Sequence, residues 1–302
     1  MAVKVAAGLP AVSCLLKEGA DILARRGEGP EDPVKLKVGI LNLMPIKEDA
    51  ERDLLRLLYD NPYIVEVTFV ELSTYRGSHT SADHLDNYYV KWPNIRNQKF
   101  DGFIITGAPV EELDYESVAY WEELKEIMDW CRTNVRSTVF ICWGALAAMY
   151  HFYGVRKRLF SRKLSGVYVH RSKIEVGLTE KLGEEYFIPH SRFATPDAED
   201  LADVEELKVF CESRDAGIYG LMTARGEEIY LTGHIEYSPF TLHEEYIRDL
   251  NKGINPRIPE NYYKNDIPGN ELKVNWLPVA KRLFSNWLKY YVEGPDGKRK
   301  ND

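Results

Sequence analysis

The chain has 302 residues, enough for one large domain or two small ones. Its 44% hydrophobic and 12% aromatic residues exclude disorder as a description of the whole chain. Its 39 basic and 47 acidic residues give a net charge of −8, which argues against a broad nucleic-acid surface because phosphate binding needs clustered positive charge.

Residues 1–34 are expected to form an N-terminal arm. Lys4 and Lys17 interrupt its apolar residues, so the arm lacks the apolar core of a signal peptide. The turn-forming run GEGPEDP, residues 27–33, separates the arm from the rest of the chain. No apolar stretch approaches the roughly 20 residues needed to span a bilayer. We therefore expect a cytoplasmic protein that has neither a membrane nor a nucleic acid as a partner.

The first half of the chain after the arm alternates between predicted strands and helices. Apolar, β-rich runs predict four strands, at residues 35–43, 64–72, 100–106 and 138–142. Apolar residues at helical spacing predict helices at residues 49–59 and 120–131, and the small-residue run GALAAMY begins a third. This alternation is typical of the α/β class, with a mostly parallel sheet and helices on both faces.

The second half is less regular. Short strands are predicted at residues 208–211, 220–223 and 228–232, and helices at residues 240–251 and 279–292. The final GPDGKRKND is expected to be a short mobile tail. The pattern predicts one catalytic α/β domain over residues 35–302, with insertions, preceded by the arm.

Cys142 differs from the other cysteines in its local context. The segment TVFICWGALAAMY places it where a buried strand passes into a helix. A sharp turn there lifts a nucleophile above the carboxyl edge of a parallel sheet, and the helix end lowers a thiol pKa and offers backbone N–H groups to an oxyanion. The alternative is a buried structural cysteine at a strand end. The remaining cysteines lack this context and form no C-x-x-C pair, at Cys14, Cys131 and Cys211.

A second feature is the segment LTGHIEYSPF, in which His234 and Glu236 follow an apolar run. On a strand, residues two apart point to the same face, where a carboxylate can orient an imidazole and stabilise its charged form. Alone the pair is a weak signal, equally consistent with a weak metal pair or a solvated strand. Together with Cys142 it indicates a catalytic triad of cysteine, histidine and glutamate.

Seven segments resemble the homoserine O-acyltransferases of methionine biosynthesis: ILNLMP followed by Lys47, FDGFIITGAPVE, FICWGALAA, KLSGVY, PHSRF, TGHIEY and NWLKYYV. The matches run from about residue 35 to residue 292. The resemblance implies a flavodoxin-like fold similar to class I glutamine amidotransferases. It also implies transfer of an acyl group from a coenzyme A thioester to the hydroxyl of L-homoserine, with no bound metal or cofactor, and suggests a homodimer.

The same motifs imply a role for individual residues. Cys142 matches the acyl-thioester nucleophile, His234 the general base and Glu236 its orienting partner. Backbone N–H groups near the elbow, that of Trp143 among them, and the side chain of Lys47 would stabilise the oxyanion. The residues that match substrate-contacting positions are Lys163, Ser191 and Arg248. An arginine suits the homoserine carboxylate because its planar fork binds both oxygens.

The identity of residue 111, here Glu111, indicates which acyl-CoA serves as the donor. In this family glycine at the matching position accompanies succinyl-CoA and glutamate accompanies acetyl-CoA. A glutamate would fill the space and repel the carboxylate of a succinyl group. We therefore expect a homoserine O-acetyltransferase with acetyl-CoA as co-substrate, the alternative being a succinyltransferase. The competing view is that Glu111 is a solvated loop residue equivalent to Glu112.

Two alternative functions from other protein classes stay open. Glutamine amidotransferases usually carry G-x-C-x-G at the elbow, whereas here Phe140 occupies the first position and only Gly144 remains. A glutamine amidotransferase or peptidase-like hydrolase with the same triad is therefore the more distant alternative. The other alternative is a catalytically silent binding protein. The presence of all three residue types of the triad argues against it.

Overall fold

The computed structural model describes residues 3–19, 35–59 and 61–294. The predicted separating run at residues 27–33 and the predicted tail beyond residue 294 lie outside these ranges. The strands of this part are β1 (Val3–Lys4), β2 (Lys35–Leu41), β3 (Ile64–Glu71), β4 (Tyr89–Lys91), β5 (Phe100–Ile105), β6 (Val135–Ile141), β7 (Lys157–Ser172), β8 (Glu185–Pro196), β9 (Lys208–Ser213), β10 (Gly217–Met222) and β11 (Glu228–Leu231). Its α-helices are α1 (Pro10–Lys17), α2 (Lys47–Leu58), α3 (Ala82–Tyr88), α4 (Trp121–Asn134), α5 (Trp143–Tyr153), α6 (Ala198–Ala202), α7 (Thr241–Asn251) and α8 (Leu277–Trp287), the last continued by a π-helical turn, Leu288–Glu293.

All of these strands form one mixed sheet. Its order is β1-β3-β2-β5-β6-β11-β10-β9-β7-β8, and β4 pairs with the far end of β3. The pairings from β1 to β11 are parallel, and those from β11 to β8 are antiparallel. The predicted α/β class with a mostly parallel sheet is confirmed. The carboxyl ends of β2, β5, β6 and β11 therefore meet at one edge of the sheet.

Helices cover both faces of the parallel half. Every residue of β5 is buried, and its apolar side chains are divided between two apolar cores. Ile104 belongs to the core that includes α2 and α8, whereas Phe103 and Ile105 belong to the core that includes α4 and α5. Burial on both faces explains the continuous apolar runs in the sequence. No helix in the described ranges is long and apolar enough to cross a membrane.

The antiparallel half contains the elements that the sequence did not reveal. Strands β7 and β8 form a long hairpin whose polar residues obscure the period-two pattern, because much of β7 is exposed. Gly166 in β7 has a φ of 149°, and a Cβ there would lie 2.5 Å from the carbonyl oxygen of Glu260. The helix α3 and the short strands β1 and β4 were also absent from the prediction. They are too short for their periodicity to stand out.

The described part of the N-terminal segment packs onto the sheet. Val3 and Lys4 of β1 lie opposite Val65 and Glu66 of β3. After helix α1, the carboxylate of Glu18 receives two hydrogen bonds of 2.9 Å from the guanidinium of Arg56 in α2.

We predict that Gly39→Ala destabilises the fold. A Cβ at Gly39 in β2 would lie 2.2 Å from the ring of Phe103, and that ring is itself packed against Trp130 at 5.5 Å between centroids. Overpacking of this kind costs about 1–3 kcal/mol of unfolding free energy, which urea denaturation measures. Gly77→Ala is the matched control, since nothing lies within 4 Å of its Cβ. Equal denaturation midpoints for the two variants would contradict the packing described here.

Candidate active site

Cys142 occupies a strained turn between β6 and α5. Its φ of 50° and ψ of −116° are rarely adopted by residues other than glycine. Two backbone hydrogen bonds hold the turn: the N–H of Cys142 donates to the carbonyl of Leu231 at 2.7 Å, and the N–H of Ala145 donates to the carbonyl of Cys142 at 3.0 Å. The thiol is therefore fixed at the carboxyl edge of the sheet, where its residue is 3% exposed.

Two glycines let neighbouring backbone approach this turn. A Cβ at Gly144 would lie 2.7 Å from the carbonyl oxygen of Thr106, the first residue after β5. A Cβ at Gly107 would lie 3.1 Å from the Cβ of Cys142 and 3.6 Å from Cε1 of His234. The loop after β5 thus closes one side of the space around the thiol.

The structure brings Cys142, His234 and Glu236 together. The side chains of Cys142 and His234 both lie against Gly107, and Cys142 contributes to the raised pKa of the imidazole. On its other side, Nδ1 of His234 donates to Oε1 of Glu236 at 2.7 Å. The ring of Tyr237 stacks on the imidazole, with centroids 4.3 Å apart and an angle of 19° between the planes. This is the arrangement that a cysteine–histidine–carboxylate triad requires.

The prediction that His234 and Glu236 lie on a strand is wrong. His234 and Glu236 lie in a turn after β11, in which the N–H of Tyr237 donates to the carbonyl of His234 at 3.2 Å. The backbone N–H of His234 is anchored separately, to the carbonyl of Pro189 at 2.8 Å. The turn, and not the two-residue repeat of a strand, places the carboxylate against the imidazole.

The charges of the triad favour the ionised form of the histidine. Burial by itself lowers the pKa of His234, but the charges and hydrogen bonds of Cys142 and Glu236 raise it well above its usual range. The imidazole of His234 is therefore favoured in its protonated form. A thiolate is the nucleophilic form of cysteine, so the geometry suits attack on an acyl carbon.

A second buried cluster lies beside the triad and centres on Glu245 of α7. Its carboxylate accepts hydrogen bonds from Nζ of Lys163 at 3.1 Å, from the hydroxyl of Ser191, and from the hydroxyl of Tyr237 at 3.0 Å. Although burial by itself raises the pKa of Glu245, Lys163 and Ser191 hold it below its usual range. Sequence reasoning missed Glu245, because it stands in a helix next to Glu244 with no motif to distinguish the two.

Lys163 of β7 and Ser191 of β8 lie against α7, which itself carries Arg248. Lys163 also lies 3.6 Å from Oδ2 of Asp249, and Arg248 pairs with Oδ1 of the same carboxylate at 2.8 Å. The side chain of Arg248 is half exposed. Within the described ranges no hydrogen bond joins Arg248 to the triad, whereas Lys163 and Ser191 reach it through Glu245 and Tyr237.

Glu111 follows the loop after β5 and faces the site. Its pKa is raised mainly by burial, and it interacts with the charges of His234, Lys163 and Glu245. The next residue, Glu112, is exposed. The two glutamates are therefore not equivalent, and Glu111 is the one near the triad.

The two residues expected at the oxyanion differ in placement. Trp143 is the first residue of α5, so its backbone N–H has no acceptor inside the helix and is available beside the thiol. Lys47 begins α2 at the same edge of the sheet, and its ammonium donates to the carbonyls of Asn42 and Met44. Burial lowers the pKa of Lys47 to about 8. In the part of the chain that the structure describes, no hydrogen bond joins Lys47 to Cys142.

Comparisons with known proteins agree with this geometry. A family model described as homoserine O-succinyltransferase matches residues 2–296. A homoserine O-acetyltransferase from Brevibacillus brevis is 44% identical over 293 residues, which cover 97% of this chain and 96% of that protein. A homoserine O-succinyltransferase from a Shewanella species is 40% identical over 293 residues, covering 97% of this chain and 94% of that protein.

A solved structure supports the fold independently. A glutamine amidotransferase from Thermotoga maritima matches with a TM-score of 0.54 and 14% sequence identity, covering 87% of this chain and 100% of that chain. At this identity the likeness shows the fold alone. The expected similarity to the glutamine amidotransferase fold is confirmed.

We predict that iodoacetamide modifies Cys142 first near neutral pH. Because Cys142 is paired with an imidazolium, it should react at least about ten-fold faster than the exposed Cys14. Burial raises the pKa of Cys211 to about 12 and raises that of Cys131 further, so both should stay unmodified in the folded protein. Peptide mass spectrometry measures the labelling, and His234→Ala should abolish the excess at Cys142. Equal labelling of Cys14 and Cys142 would contradict the proposed ion pair.

Proposed function

The chain belongs to the homoserine O-succinyltransferase family, and on this premise we propose that it transfers an acetyl group from acetyl-CoA to the hydroxyl of L-homoserine. One observation carries the proposal: the side chain of Cys142, at a strained strand-to-helix turn, lies next to an imidazole that Glu236 holds. The 44% identity to a homoserine O-acetyltransferase supports the substrate pair. The reaction would proceed in two stages.

In the first stage the thiolate of Cys142 attacks the carbonyl carbon of the thioester. The backbone N–H of Trp143 would donate to the resulting oxyanion. Lys47 would be a second donor only if its ammonium left the carbonyls that it now contacts. Collapse breaks the bond to the sulfur of coenzyme A, which takes the proton from the imidazolium of His234 and leaves as the thiol. An acetyl thioester on Cys142 remains, next to a neutral His234.

In the second stage His234 acts as the base. Its neutral imidazole removes the proton from the homoserine hydroxyl, whose oxygen attacks the acyl carbon. Collapse of this second intermediate breaks the bond to the sulfur of Cys142 and releases O-acetylhomoserine. The thiolate and the imidazolium are restored, and Glu236 holds the imidazole in the required orientation throughout.

Homoserine is a zwitterion, and the cluster around α7 is complementary to it. Arg248 and Lys163 supply positive charge for its carboxylate, and the planar fork of Arg248 can bind both oxygens. Glu245 supplies negative charge for its ammonium group and holds Ser191 in place. Because Tyr237 joins Glu245 to the imidazole, the bound hydroxyl would lie close to its base.

Glu111 supports acetyl-CoA as the donor. The side chain is partly buried near His234, so a succinyl group bound at Cys142 would bring a second carboxylate beside it. Like charges in a partly dry pocket repel each other strongly. An acetyl group is small and neutral and avoids this penalty. Succinyl-CoA remains the alternative donor, since relatives of both names match the chain.

The remaining expectations follow from the family resemblance. We propose that the enzyme acts in methionine biosynthesis in the cytoplasm and that it forms a homodimer. Acetyl-CoA would be a co-substrate and not a resident cofactor. The chemistry written above requires no metal, since His234 and backbone groups carry every proton and charge.

We predict a covalent intermediate on Cys142. Incubation with acetyl-CoA in the absence of homoserine should add one acetyl group, which peptide mass spectrometry should map to Cys142. Cys142→Ala should abolish both the adduct and turnover, whereas Cys14→Ala, at an exposed thiol, should retain both. Normal product formation by a protein whose Cys142 is never acylated would overturn the two-stage mechanism.

We predict that Glu111→Gly changes the preference between donors. Removing the carboxylate should raise the use of succinyl-CoA relative to acetyl-CoA by at least about ten-fold, since the like-charge repulsion is lost. Competition between the two donors, with the products identified by mass, measures the ratio. Glu112→Gly, at the exposed neighbour, is the control and should leave the ratio unchanged. If the unmodified protein prefers succinyl-CoA, the acetyl assignment is wrong, although the acyltransferase assignment survives.

A further inference from the structure

The side chain of Tyr237 contacts two parts of the site, His234 with its ring and Glu245 with its hydroxyl. The residue is 4% exposed and lies in the turn after β11. A buried phenol needs a hydrogen-bond partner, but a backbone carbonyl would serve. Here the partner is instead the carboxylate of the proposed homoserine site, so the two contacts together point to a function for Tyr237.

The ring of Tyr237 restricts the orientation of the imidazole. The two rings are nearly parallel, with their centroids 4.3 Å apart and an angle of 19° between their planes. Glu236 holds the imidazole of His234 at one atom, through the hydrogen bond of 2.7 Å from Nδ1. A hydrogen bond tolerates a tilt of tens of degrees before it weakens steeply, so this bond alone fixes the ring plane loosely. The stacked phenol opposes the tilt and restricts where Nε2 points.

The hydroxyl of Tyr237 holds the carboxylate of Glu245 at a second oxygen. It donates to Oε1 at 3.0 Å, whereas Lys163 and Ser191 both donate to Oε2. Burial and the charge of Glu245 raise the pKa of Tyr237 well above its usual range, so the phenol keeps its proton and can donate. A carboxylate that is bound at both oxygens has little freedom to rotate. Glu245 would therefore present its charge to the ammonium group of homoserine in one orientation.

The backbone around Tyr237 is held independently of its side chain. The N–H of Tyr237 donates to the carbonyl of His234 at 3.2 Å. The carbonyl of Tyr237 accepts from Nε1 of Trp276 at 2.9 Å, and the hydroxyl of Tyr262 donates to the carbonyl of Pro239 at 2.6 Å. Both of these donor residues are fully buried. Substitution of the side chain of Tyr237 should therefore leave the turn in place.

We propose that Tyr237 is a positioning residue that couples the base to the homoserine site: its ring sets the plane of the His234 imidazole, and its hydroxyl sets the carboxylate of Glu245. The inference rests on the proposed function, in which His234 moves protons in both stages and Glu245 contacts homoserine alone. The two contacts should therefore have separate effects. The ring contributes to both stages, whereas the hydroxyl contributes only when homoserine binds.

Tyr237→Phe tests the hydroxyl, because phenylalanine keeps the ring and loses the hydrogen bond to Glu245. The KM for homoserine should rise about ten-fold, the order expected when a charged group loses a hydrogen bond. The rate at which acetyl-CoA acetylates Cys142 in the absence of homoserine should stay unchanged. Steady-state kinetics measure the KM, and rapid mixing followed by mass spectrometry of the intact protein measures the acetylation rate.

Tyr237→Leu tests the ring, because leucine lacks both the aromatic face and the hydroxyl. Acetylation of Cys142 in the absence of homoserine should fall about a hundred-fold, the order that a small misplacement of a reacting group costs. Tyr237→Phe, which keeps the ring, should retain the full rate. A second measurement needs no substrate: in NMR spectra of protein with isotope-labelled histidine, the Nδ1 proton of His234 should exchange with water faster in Tyr237→Leu than in Tyr237→Phe.

Tyr230→Phe is the matched control. The hydroxyl of Tyr230 also donates to a carboxylate, Oε2 of Glu228, at 2.6 Å, and the residue is fully buried in β11. This variant therefore loses the same kind of hydrogen bond as Tyr237→Phe, but loses it away from His234 and Glu245. It should change neither the KM for homoserine nor the rate of acetylation.

An unchanged KM in Tyr237→Phe, or an equal rise in Tyr230→Phe, would overturn the inference, and so would normal acetylation of a folded Tyr237→Leu variant. If Tyr237→Leu does not fold, Tyr237→Phe decides through the difference between its KM and its acetylation rate. Failure of the proposed function is a separate result, in which acetyl-CoA does not acetylate Cys142 of the unmodified protein. The exchange of the Nδ1 proton of His234 would then still decide the role of the ring.

Discussion

The strained backbone at Cys142 is the constraint on which the site depends. A positive φ at a residue with a side chain is unfavourable, and it persists only where the surroundings determine it. Here the hydrogen bond to Leu231 ties the turn to β11, and the first bond of α5 ties it to the helix. The same strand β11 leads into the turn of His234. One sheet edge therefore fixes both Cys142 and His234.

Several ionisable side chains lie buried around this turn, where burial by itself would favour their neutral forms. Lys163 and Ser191 bind the carboxylate of Glu245 and hold its pKa below the usual range, and Glu236 accepts a hydrogen bond from His234. These contacts come from β7, β8, α7 and the turn after β11. The irregular second half of the chain thus supplies the charged side chains, and the regular parallel half supplies the rigid edge that bears Cys142.

The sequence predicted the parts of the site that local pattern encodes. The elbow at Cys142 is visible because a buried strand, a cysteine and a small-residue helix start follow one another directly. His234 and Glu236 were found from their spacing, although a turn and not a strand aligns them. Glu245 could not be found in this way. It is a single charged residue whose importance arises from contacts with residues far away in the chain.

The pairing of β3 has a consequence for association between molecules. One side of β3 pairs with β2. Its other side pairs with two short strands: β1 lies against Val65 and Glu66, and β4 lies against residues 69–71. A long bare strand there would offer a row of unpaired N–H and C=O groups to another chain. Because β1 pairs with this side of β3, it covers N–H and C=O groups that could otherwise pair with another chain. Removal of β1 would expose this part of β3 to other chains and lower solubility. Cys142 follows β6, farther along the sheet, and would be affected less.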